Sequence, residues 1–88
     1  MAYQITFENT LSKPVQLQVN TGSGGCDTNQ NLVDEQVAAG GTKQIVTDWS
    51  VVCYRRTADP DIPGPMTVWD TFSPNDTNTP ATIDIGLM

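Results

Sequence analysis

Apolar and polar residues alternate with period two through most of this chain, and that alternation limits the fold more than any other feature. Tyr3, Ile5 and Phe7 alternate with Gln4, Thr6 and Glu8, and Val15, Leu17 and Val19 alternate with Gln16, Gln18 and Asn20. A strand sends successive side chains to opposite faces, so each run marks a strand with one buried and one wetted face. Residues 9–14 between the two runs are turn-forming, which predicts an antiparallel hairpin.

The rest of the chain reads in the same way. Residues 21–31, rich in glycine, form a flexible polar loop. Residues 32–39 suit either a strand or a short helix capped by Asn31; the following Gly40-Gly41 fits a strand ending in a turn, and a strand is expected. Residues 44–49 and 51–57 are two strands, with Ser50 at a bulge or tight bend. Residues 58–65 contain three prolines, cannot be a central strand and read as a rigid loop. Residues 66–72 alternate again, residues 73–80 are turn-rich, and Ile83, Ile85 and Leu87 mark a closing strand. The expected core is Ile5, Phe7, Val15, Leu17, Val19, Val37, Ile45, Val51, Cys53, Val68, Phe72, Ile83 and Ile85. Six or seven strands with regular turn signals predict one all-β domain over residues 1–88. Its expected form is a small antiparallel β-sandwich or a partly closed barrel.

Composition agrees. Twelve threonines favour strands, while the helix formers Lys and Glu appear only twice each. The net charge of −6 removes the basic footprint that nucleic acid or an anionic membrane requires, so neither is an expected partner. A basic protein partner or a neutral glycan is compatible with it. No apolar run approaches the ~20 residues of a membrane span, so no transmembrane segment is expected. The chain opens directly into a strand pattern, without the basic and apolar segments of a signal peptide. The hydroxyl- and amide-rich composition leans towards an extracellular, cell-surface or virion setting.

Two cysteines, Cys26 and Cys53, are too far apart for a metal-binding pair, and without histidine a zinc site is not expected. They form either one disulfide or two free thiols. A bridge would close a loop of about 28 residues and contribute roughly 3.5 kcal/mol by the chain-entropy estimate. Asp59, Asp61, Asn75 and Asp76 are oxygen donors on two loops that could meet around calcium, but Asp-Pro-Asp serves turn initiation equally well, and no metal or other cofactor is expected. With no histidine and little room to desolvate a carboxyl group, no catalytic residue and no enzyme activity are expected. Asn75-Asp76-Thr77 matches the glycosylation acceptor pattern.

The aromatic residues and arginines carry the binding candidates: Trp69, Trp49, Tyr54 and Arg56. If Val68 and Phe72 face the core, Trp69 points outward beside Thr67 and Thr71, as a platform for a sugar ring or a hot spot for a protein. The competing reading puts Trp69 in the core with its indole N–H satisfied by the backbone. Arg55 and Arg56 point to opposite strand faces, and Arg56 shares its face with Tyr54, which allows stacking or an ion pair with Asp59 or Asp61.

The opening ITFENTLSKPVQLQV and the later AAGGTKQIV resemble the first strands of small secreted β-sandwiches such as thaumatin-like proteins and aegerolysins. The resemblance covers about half of the chain and rests on strand–turn spacing. The larger cysteine set of thaumatin-like proteins is absent, and no activity or residue is carried over. The expected function is a non-enzymatic binding module for a protein or glycan. The alternatives are a phage or cell-surface assembly component that self-associates and a small acidic inhibitor of a basic protein site.

Overall fold

The computed structural model describes residues 2–74 and 79–88. Among the described residues, eight strands build two sheets that face one another and curl towards a half barrel. In chain order they are β1 (Tyr3–Glu8), β2 (Val15–Thr21), β3 (Asn31–Val37), β4 (Thr42–Thr47), β5 (Val52–Asp59), β6 (Ile62–Met66), β7 (Asp70–Phe72) and β8 (Ala81–Asp84). The smaller sheet has the order β4-β1-β8, and the larger has the order β3-β2-β5-β6, with β7 also paired to β5. The all-β sandwich expected from the alternation is present.

The first two strands do not form the expected hairpin. β1 pairs antiparallel with β4, placing Ile5 opposite Ile45, and parallel with β8, placing Phe7 opposite Ile83. β2 lies in the other sheet, between β3 and β5. The turn between β1 and β2 therefore crosses the sandwich, and Asn9 explains how. Its side chain is buried, its amide donates to the carbonyls of Lys13 at 2.9 Å and of Val37 and Ala38 at 3.2 Å, and its carbonyl oxygen accepts from the Leu11 N–H at 3.0 Å. The Asn9 N–H donates to the Gly41 carbonyl at 2.9 Å. One residue thus joins the β1–β2 and β3–β4 crossings and satisfies carbonyls that burial would otherwise leave unpaired.

Alternation delivers the core. Ile5, Phe7, Val15, Leu17, Val19, Val33, Val37, Ile45, Val52, Tyr54 and Ile85 form one buried cluster. Each fully buried aliphatic or aromatic side chain in such a cluster stabilises by roughly 1.5–3 kcal/mol. The Phe7 and Tyr54 rings meet at 5.5 Å between centroids in a tilted arrangement that their quadrupoles favour. The expected core needs correction at the start of β5, where Val52 and Tyr54 are buried and Val51 is only half-buried. Val68 is 88% exposed, because residues 67–69 are not a strand and the run 66–72 divides between the end of β6 and β7. Phe72 and Ile83 pack against the cluster from its rim.

Residues 58–65 are not one rigid loop. β5 continues to Asp59, the chain turns, and β6 returns as an edge strand containing Pro63 and Pro65. Proline has no N–H to donate, the β5–β6 register shifts between Thr57 and Asp59, and Gly64 between the two prolines has φ +115°. The closing strand ends at Asp84, and Ile85–Leu87 form a 3-10 turn in which the Asp84 carboxylate accepts the Gly86 N–H at 2.9 Å.

Candidate functional site

The outer face of the larger sheet carries a groove of about 530 Å³, lined by Pro14, Gln16, Gln18, Gln36, Arg55, Thr57, Pro60, Pro63, Gly64 and Met66. Register creates its floor. Val15, Leu17 and Val19 face the core, so Gln16 and Gln18 face out. Gln16 stands opposite Gln36 on β3, and Gln18 stands between Asp34 on β3 and Arg55 on β5. The side chains then fix one another. Asp34 accepts from Gln16 at 2.8 Å and from Gln18 at 3.4 Å, and the Gln18 carbonyl oxygen accepts from Arg55 Nε at 2.7 Å. The Thr57 hydroxyl accepts the Gln16 backbone N–H at 2.8 Å.

The β5–β6 hairpin makes the wall. Asp59 accepts the Asp61 N–H at 2.9 Å and sets the turn at Pro60. Asp61 also pairs with Lys13, the neighbour of Pro14, so this bridge ties the hairpin to the β1–β2 turn where Pro14 and Pro60 line the groove. The Asp59 carboxylate is therefore engaged within the turn, and the Asp61 carboxylate is engaged by Lys13. Among the described residues, no group of three or more His, Cys, Asp or Glu could hold a metal ion. Asn75, Asp76 and Thr77, the other half of the calcium reading and the glycosylation triplet, lie outside the described residues.

Beside Arg55 lies a second cluster. The Arg55 guanidinium carbon sits 4.3 Å from the centre of the Trp69 ring, and the Trp69 indole N–H donates to Asp27 at 2.6 Å. Asp27 also lies 3.8 Å from Arg55. Cys26, next to Asp27, is joined by a disulfide to Cys53 on β5. Residues 21–31 are thus tied to the sheet. Cys26–Thr28 form a 3-10 turn, Asn20 donates to the Cys26 carbonyl at 2.7 Å, and Asn29 donates to the carbonyls of Thr21 at 2.6 Å and Gly24 at 2.9 Å.

The four residues expected to form a binding surface are not brought together. Trp69 is half-buried over Arg55, next to the groove rather than among its lining residues. Trp49 is 47% exposed in the connection between β4 and β5. Tyr54 points inward; burial, then the neighbouring Asp70 carboxylate and its hydrogen bond with the phenol at 3.3 Å, push the phenol above its ordinary value of 10.0. Arg56 also points inward and is only 4% exposed. It donates to the carbonyls of Ile85 and Thr57 at 2.5 Å, Met88 at 2.9 Å and Ala58 at 3.2 Å, instead of pairing with Asp59 or Asp61. A planar guanidinium suits that task because its donors fan out in fixed directions. The groove residues Gln16, Gln18, Gln36 and Thr57 escape a sequence reading because an outward glutamine looks the same whether or not a hairpin rises beside it.

The site offers neutral hydrogen-bond donors and acceptors, one charge-matched guanidinium and an apolar flank. Comparison with protein-family models, curated proteins and solved structures finds no match to this chain.

Proposed function

We propose that this chain is a non-enzymatic binding module that receives a protein or glycan partner on the outer face of its larger sheet. The observation that carries this reading is the organised polar floor beneath the groove, where Gln18 is held from one side by Asp34 and from the other by Arg55. Side chains fixed before contact lose little freedom when a partner arrives, which favours affinity. The Cys26–Cys53 disulfide supports an oxidising, extracellular or surface setting. The test is a Gln36→Trp variant, which fills the groove from the exposed strand β3, screened beside the wild type against immobilised glycans and peptides. A partner that binds the wild type should lose the variant. Equal binding to both would move recognition to another surface.

Self-association is a second reading, favoured by one feature. β4 is an edge strand with Val46 64% exposed, and Trp49 follows it at 47% exposure. Sedimentation velocity across a concentration series tests it, and a monomer at every concentration rejects it.

A further inference from the structure

We infer that the groove takes a neutral oligosaccharide, an inference that rests on the binding-module reading above. Three properties of the groove select this class. First, the groove lies on a sheet face. β2 pairs with β3 on one side and β5 on the other, so its backbone is engaged in ladders and cannot add a peptide strand. The groove also reaches the sheet's edge strands, Gln36 on β3 and the wall strand β6, but Pro63 and Pro65 interrupt the β6 edge, and over the central strands recognition uses side chains.

Second, the side chains left to a ligand both donate and accept without carrying charge. Among the described residues, Gln36 has no hydrogen-bond partner for its carboxamide. Thr57 accepts one bond and keeps its hydroxyl proton, and Gln16 donates to Asp34 and keeps its carbonyl oxygen. A sugar hydroxyl donates and accepts at once, and it fits such a mixed array. Charge argues against an anionic ligand. Arg55 is matched by Asp27, Asp34 adds a carboxylate to the same face, and the whole chain carries −6.

Third, the apolar groups stand in the flank rather than the floor. Pro14, Pro60, Pro63 and Met66 give C–H surface against which a sugar ring can lie edge-on. Among the described residues, no aromatic side chain lines the groove, whereas recognition of extended proline-rich peptides uses aromatic-lined grooves. The volume of about 530 Å³ falls in the ~300–1,000 Å³ range of small-ligand clefts.

The test is a series of ¹H–¹⁵N spectra of the full chain. The probes are neutral trisaccharides built on glucose, mannose and N-acetylglucosamine, a sulfated trisaccharide, and an extended proline-containing peptide. The expected result is a set of shifts confined to Gln16, Gln18, Gln36 and Thr57 with at least one neutral sugar. Gln36→Ala should weaken that binding about three- to tenfold, the loss of one hydrogen bond, and leave the melting temperature unchanged. Silence with every neutral sugar overturns the inference. Shifts at the same residues with the peptide or the sulfated sugar alone also overturn it, while keeping the groove as a binding surface. Shifts confined to other surfaces overturn both readings.

Discussion

Asp27 accepts the indole N–H of Trp69 at 2.6 Å, and the residue before it, Cys26, is covalently bound to Cys53 on β5. One covalent link therefore holds the loop whose carboxylate positions the ring over Arg55. Reduction should lower unfolding free energy by about 3.5 kcal/mol, the entropy that closing this loop removes from the unfolded chain. It should also change Trp69 fluorescence below the unfolding transition. Denaturant titrations with and without reductant measure both, and Asp27→Asn in the oxidised protein should reproduce part of the fluorescence change without the stability loss.

Arg56 is a structural residue, so its replacement should be felt in stability. Arg56→Met leaves four backbone carbonyls without their donor and should cost about 2–4 kcal/mol. Its neighbour Arg55 is partly exposed and faces the groove, and Arg55→Met should cost less than about 1 kcal/mol. Chemical denaturation of the two variants makes the comparison, and equal costs would contradict the assignment.

Asn9 should be as sensitive as any core residue. Asn9→Asp puts carboxylate oxygens against the carbonyls of Lys13, Val37 and Ala38 and should destabilise by about 3 kcal/mol or more near neutral pH. Asn9→Ser, which keeps one donor, should cost less. Thermal melts of both variants check the order.

Tyr54 gives the fold an alkaline limit. Its neutral phenol is the form that the buried site prefers, so the unfolded chain loses this proton first as pH rises. The stabilising contribution is whole below the ordinary tyrosine value of 10.0 and is lost as pH climbs from there through the raised value in the fold. Tyr54→Phe should flatten the fall in stability across this range. Urea unfolding at a series of alkaline pH values measures the slope, and identical slopes would show that other groups set it.

How much of this was legible beforehand depends on what alternation encodes. It tells which side chains share a face, and that placed Ile5, Phe7, Val15, Leu17 and Val19 in the core. It says nothing about which strand is the neighbour, so β1 and β2 read as a hairpin although Asn9 carries the chain across the sandwich. Parity put Arg55 and Arg56 on opposite faces, and the expected core, with Val51 and Cys53, took the face of Arg55; the pairing of Leu17 with Arg56 and of Gln18 with Arg55 instead turns the Val52, Tyr54 and Arg56 face inward. The run of residues 66–72 kept its alternation in sequence, yet Val68 is exposed because the chain leaves the sheet at residues 67–69.

The parallel pair of β1 and β8 sets the order in which this fold can be completed. Ile5 meets Ala81 and Phe7 meets Ile83, contacts that span most of the chain. Until residues 81–84 are available, β1 keeps one backbone edge open and Phe7 lacks its partner on that side. Contacts this distant in sequence slow the search for the native state, because a long loop must close before they contribute. A chain still being synthesised thus exposes an apolar strand edge until residues 81–84 have emerged, and this is the interval in which that edge is most open to aggregation.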